Sequence, residues 1–125
     1  MNSVAKRITK DSSEKMTVQD FIAICQLDDL QENLGFCALV KGRQVALFRI
    51  SGIDKVFAID NHDPFSEANV LSRGVVGDLK GRLVVASPIY KQHFDLETGQ
   101  CLEDESVVLD TFEVRVVDGV VKISC

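Results

Sequence analysis

The sequence predicts an all-β domain of stacked antiparallel sheets, a sandwich or partial barrel with little helix, on three observations. Short apolar stretches of strand length, rich in Val, Ile and Phe, recur along the chain. Turn-forming residues separate them. No segment sustains an apolar period of 3.6 residues over three turns, so helix is a minor component.

Taken in order, residues Met1 to Met16 are polar and carry no aromatic side chain. Such a segment buries too little surface to order itself, so 1–16 is expected to be a disordered tail and 17–125 the β domain. Strand-like runs follow at Phe21 to Cys25, Phe36 to Val40, Val45 to Ile50 and Val56 to Ile59. A brief helical turn fits Gln26 to Gln31 after the first of them. Lys41-Gly42-Arg43-Gln44 and Ser51-Gly52-Ile53-Asp54 read as the turns between the next three. From His62 to Gly81 no continuous strand pattern runs, and Gly74, Gly77 and Gly81 punctuate it, which predicts a long excursion between strands. Leu83 to Ala86, Glu113 to Val117 and Val120 to Ile123 complete the set, the last two joined by an Asp118-Gly119 hairpin turn.

A chain of 125 residues forms one domain and buries about two-thirds of its unfolded surface. With 46% hydrophobic and 26% charged residues, neither a disulfide nor a metal is needed for a core. No apolar run approaches the ~20 residues of a membrane span, and the first fifteen residues lack the apolar stretch of a secretory signal. A soluble, cytoplasmic protein without a membrane partner is the expectation. The net charge of −5 argues against nucleic acid, whose phosphates need clustered Lys and Arg. Cys25, Cys37, Cys101 and Cys125 form no Cys-x-x-Cys pair; the expectation is small core residues and one free C-terminal thiol, not a metal site. Phosphate-binding, serine-hydrolase and zinc-protease motifs are absent.

Two segments carry the functional signal: Asp60 to Ala68, and Ala86 to Gly99. Their frame resembles a Rieske iron–sulfur site, in which a Cys-x-His loop and a Cys-x-x-His loop hold a [2Fe–2S] cluster with two Cys and two His. Here the first slot reads Asp63-Pro64-Phe65 and the second Ser87-Pro88-Ile89-Tyr90, followed by the Phe94-Asp95-Leu96-x-Thr98-Gly99 tail of that superfamily. Asp63, Phe65, Ser87 and Tyr90 thus occupy the four ligand positions, and none is a Cys or His. The phrases Asn61-His62-Asp63-Pro64-Phe65 and Ser87 to Phe94 resemble the small subunits of NAD(P)H-dependent, sirohaem-containing nitrite reductases. The likeness runs from about Met16 to Cys125. It implies a Rieske-like fold with no cofactor and no catalytic residue in this chain. It further implies a large-subunit partner carrying FAD, a [4Fe–4S] cluster and sirohaem, which passes six electrons to nitrite and yields ammonium. The alternative from another class is a stand-alone metal-binding or electron-carrier module of the Rieske ferredoxin type.

The remaining candidates sit around those slots. His62 and His93 flank them and occupy neither; a mononuclear site from His62, Asp63, Glu67 and His93 is set against the plainer expectation that both imidazoles bond within the loops. Asp63 is expected to cap backbone N–H groups. Phe65 and Tyr90 have two readings: rings packed inward to fill the space of a cluster, or rings projected at a partner. On the second, the partner-facing surface comprises His62, Asp63, Pro64, Phe65, Pro88, Ile89, Tyr90, Lys91 and His93. Glu103-Asp104-Glu105 reads as a solvated turn.

Overall fold

The computed structural model describes residues 21–53 and 55–124. The expected tail 1–16, and Cys125, lie outside them. Among the described residues twelve strands follow in chain order: β1 Phe21–Gln26, β2 Gly35–Val40, β3 Arg43–Ile50, β4 Lys55–Asp60, β5 His62–Asp63, β6 Ala68–Asn69, β7 Val75–Leu79, β8 Arg82–Ala86, β9 His93–Asp95, β10 Thr111–Phe112, β11 Val114–Val117 and β12 Val120–Ser124. Each paired strand runs antiparallel to its neighbour. Three larger sheets are ordered β1-β12-β11, β10-β4-β3-β2 and β7-β8-β9, and β5-β6 forms a separate small ribbon.

The layering follows from β3. Val45, Ala46, Leu47 and Phe48 are all fully buried, a continuous apolar run instead of an alternation, because both faces of this sheet are covered. Val45 and Leu47 join Val56 and Ala58 of β4 in one cluster with Val121 and Ile123. Ala46, Phe48 and Ile50 join Phe57 and Ile59 in the other, with Leu71, Val85, Phe94, Leu96 and Cys101. The β3–β4 hairpin is therefore the middle layer between the β1-β12-β11 sheet and the β7-β8-β9 sheet.

All seven expected strands form, and β11 begins at Val114, one residue later than expected. The Asp118-Gly119 turn forms as expected, and the turn expected at Lys41 to Gln44 is tighter, with only Lys41 and Gly42 between its strands. At Lys41-Gly42, Lys80-Gly81 and Asp118-Gly119 both residues have positive φ, the two-residue turn whose twist matches antiparallel strands. Arg43 and Gln44 consequently belong to β3, while Asp54 of the next turn lies outside the described residues. The helical turn after β1 is a single 3-10 turn, Leu27–Asp29.

One expectation is corrected. The stretch from His62 to Gly81 contains the β5–β6 ribbon, a 3-10 turn at Leu71–Arg73 and a five-residue strand, β7. That strand was illegible because it lies at a sheet edge with Gly77 and Asp78 inside it, and no residue of it is fully buried. The cysteine expectation is also corrected in part. Cys101 is buried and Cys25 half-buried, but Cys37 is exposed on β2. Among the described residues, no helix is long and apolar enough to cross a membrane.

Candidate functional site

The strands of the middle and β7-β8-β9 layers set up the two loops. The first leaves the end of β4, turns through β5 and returns on β6; the second leaves the end of β8 and returns on β9. Asn61 anchors the base of the first. It is almost wholly buried, its Nδ2 donates to Gln44 Oε1 at 3.0 Å and its Oδ1 accepts from the Ser72 amide at 2.7 Å. The second is closed on itself, with the Ser87 amide donating to Gln92 O at 2.9 Å and the Lys91 amide to Ser87 O at 3.1 Å.

The two loops meet at Asp63 and Ser87, both fully buried. Ser87 Oγ donates to Asp63 Oδ2 at 2.5 Å, and Ser66 Oγ donates to the same oxygen at 3.0 Å. Asp63 Oδ1 accepts from the Phe65 amide at 2.9 Å, the turn-capping bond expected of an Asp here. The Ile89 amide in turn donates to Ser87 Oγ at 3.3 Å. Burial alone would raise the carboxyl pKa of Asp63, but the hydrogen bonds from Ser87, Phe65 and Ser66 outweigh it and hold it below the ordinary value.

Phe65 and Tyr90 part company. The Phe65 ring is half-buried against the core cluster, 6.1 Å from Phe94 between ring centres. Tyr90 points outward and is 61% exposed, next to Ile89 at 45%. Pro64, Lys91 and His62 are also exposed, and Pro88 and His93 are half-buried. Asp63 lies beneath this surface, not on it.

Both histidines bond locally. His62 Nδ1 lies 3.1 Å from Asn69 Oδ1. His93 Nδ1 donates to Glu103 Oε2 at 2.7 Å, and the His93 amide to Glu103 Oε1 at 2.8 Å. The acidic run is exposed as expected, yet Glu103 is more than a solvated side chain, since it clamps the start of β9. His62, Asp63, Glu67 and His93 are not assembled into a site. Among the described residues, no group of three or more His, Cys, Asp or Glu is placed to hold a metal ion. The tail after β9 is built around Asp95, which accepts from the Glu97 and Thr98 amides at 2.7 and 3.0 Å and pairs with Arg82 at 2.7 Å.

A [2Fe–2S] cluster does not fit the residues at its four positions. The Asp63 carboxylate is saturated by donors from its own fold, Phe65 is turned into the core, Ser87 is committed to Asp63, and Tyr90 faces away. Missed in the sequence were Asn61, Ser66 and Gln92. A signal existed for the Asp63–Ser87 contact: a carboxylate and a hydroxyl occupy the first position of each slot, the two positions a cluster would bring together.

A family model of the Rieske-like [2Fe-2S] domain matches residues 20–124. The nitrite reductase (NADH) small subunit of Salmonella typhimurium is 51% identical over 100 residues, covering 80% of this chain and 93% of that protein. The solution structure of the nitrite reductase [NAD(P)H] small subunit from Erwinia carotovora aligns with a TM-score of 0.75 at 44% identity, over 86% of this chain and 83% of that one. A stretch of the nitrite reductase [NAD(P)H] large subunit of Klebsiella oxytoca is 43% identical over 97 residues, which make up 78% of this chain and 10% of that protein. The chain therefore belongs to the Rieske-like [2Fe-2S] domain family, in the branch of the NADH nitrite reductase small subunits.

Proposed function

We propose that this chain is the non-catalytic small subunit of a cytoplasmic NADH-dependent nitrite reductase and that it docks on the large subunit through the two-loop tip. The large subunit carries FAD, [4Fe–4S] and sirohaem and performs the six-electron reduction of nitrite to ammonium, while this chain positions or stabilises it. The observation that carries the reading is the Klebsiella oxytoca relative: there a stretch similar to 78% of this chain is part of a protein named as a large subunit. A domain covalently joined in one organism and separate in another is expected to keep the same neighbour, since the tether supplies only a high effective concentration.

The choice of the tip rests on its surface. Ile89 and Tyr90 form an exposed apolar centre, rimmed by Pro64, Lys91 and His62, which is the pattern of a docking patch. Two prolines stiffen the loops that present it. Ile89→Asp and Lys91→Glu test the assignment, each checked for an unchanged melt and then for co-purification with the large subunit. Ile89→Asp is expected to weaken the complex by about tenfold or more, as loss of a central apolar contact does, and Lys91→Glu by less. Wild-type binding and nitrite reduction by both folded variants would put the interface elsewhere.

A further inference from the structure

A second feature lies just under that patch. The hydrogen bonds at Asp63 form one continuous chain across the gap between the loops: Ile89 N–H donates to Ser87 Oγ, Ser87 O–H donates to Asp63 Oδ2, and Phe65 N–H donates to Asp63 Oδ1. Its two ends are backbone groups of Phe65 and Ile89, one in each loop. Each of these residues directly follows one of the stiffening prolines, Pro64 and Pro88. The middle bond joins residues 24 positions apart and is the shortest contact in the set, with both side chains wholly buried. A hydroxyl donating to an ionised carboxylate away from water is among the stronger hydrogen bonds a protein makes.

We propose that the Asp63–Ser87 pair is a side-chain clasp that takes the place of a metal cluster as the cross-link between the two loops, and so fixes the spacing of the face presented to the large subunit. The inference rests on the docking reading above, and it assigns Asp63 and Ser87 as positioning residues that never touch the partner. The three bonds on Asp63 are not equivalent. Ser66 donates to the same oxygen as Ser87 but belongs to the same loop as Asp63, so it braces that loop without tying it to the other. The first loop closes further through the Glu67 amide, which donates to Asp63 O at 2.7 Å. Only Ser87 crosses. That asymmetry separates a clasp from general loop stability.

The experiment compares Ser87→Ala with Ser66→Ala in the full chain. Amide exchange is followed at Phe65 and Ile89, and the dissociation constant for the purified large subunit is measured at a temperature where both variants are folded. Ser87→Ala is expected to raise exchange at both amides together and to weaken binding about tenfold, equivalent to about 1.4 kcal/mol. Ser66→Ala is expected to leave Ile89 exchange and the affinity at wild-type values. Should Ser87→Ala fail to fold, Ser87→Cys, whose thiol is a poor donor to Asp63 and which leaves the Ser66 and Phe65 bonds in place, carries the same comparison. Exchange that rises in one loop only, or equal losses of affinity in Ser66→Ala and Ser87→Ala, overturns the clasp. If Ser87→Ala loosens both loops but binds normally while Ile89→Asp does not bind, the clasp does not position the face and the inference falls, with the docking surface intact. If neither variant alters binding, the docking reading falls, and this inference with it.

Discussion

A carboxylate held ionised inside a protein ties stability to pH, and Asp63 is such a group. Its folded pKa lies below the ordinary value near 4, so its contribution is complete above about pH 4 and is lost as pH falls through the depressed folded pKa. The unfolded chain takes up the proton first, which sets the sign. Asp95, also held low despite burial by Arg82 and the Thr98 and Glu97 amides, adds to the same acid limb. Asp63→Asn isolates the first share: it is expected to cost about 2 kcal/mol at neutral pH and progressively less in acid, read as urea midpoints at pH 7 and near pH 3. The residue-level chemistry here was half legible. That Asp63 would cap its own turn follows from its side chain, because the partner amide lies two residues on. Its bond to Ser87 depends on how two distant loops are folded together, so it is legible from the first positions of the two slots taken together and not from any local pattern.

At the level of elements, two aromatic rings standing in equivalent slots have opposite fates. Phe65 lies on a loop that runs back over the β7-β8-β9 layer, so its ring reaches Phe94; Tyr90 sits at the crest of a loop closed by Ser87 and Gln92, and its ring has nowhere to go but out. Composition alone left both directions open, since loop trajectory decides them. Phe65→Ala is therefore expected to cost about 2 kcal/mol, below the range for a fully buried ring. Tyr90→Ala is expected to change stability by about 0.5 kcal/mol or less. Chemical denaturation of both variants measures the contrast, and equal losses would contradict the placement of the rings. The strands were the most legible elements because burial writes itself into apolar runs. β7 was not, because an edge strand with one face in solvent needs few apolar residues.

For the whole molecule, two apolar clusters form the core of the described residues, and stability is expected from them without a disulfide or metal. The three described cysteines are free, and the slots of a cluster are filled by groups that do not ligate one. EDTA and dithiothreitol are accordingly expected to leave the circular dichroism spectrum and the melting temperature in place. A fall of more than ~10 °C would reveal a structural metal or disulfide, since losing either typically removes several kcal/mol. At this scale the sequence was informative about both class and kinship. The apolar runs specify β layers, and the two loops carry the likeness to the small subunits; neither discloses how the layers are shared.

That sharing bears on cooperativity. The β3–β4 hairpin is the common wall of both clusters, with Leu47 facing one and Phe48 the other. Neither outer layer can peel away without baring a strand pair whose opposite face is still needed by its neighbour. Partial unfolding is thereby penalised twice, and the domain is built to open all at once, in the two-state manner of small single domains. A protein whose working loops sit at one end of such a unit can vary their exposed crest, as at Ile89 and Tyr90, at little cost in stability, because the all-or-none event that keeps it folded is decided elsewhere.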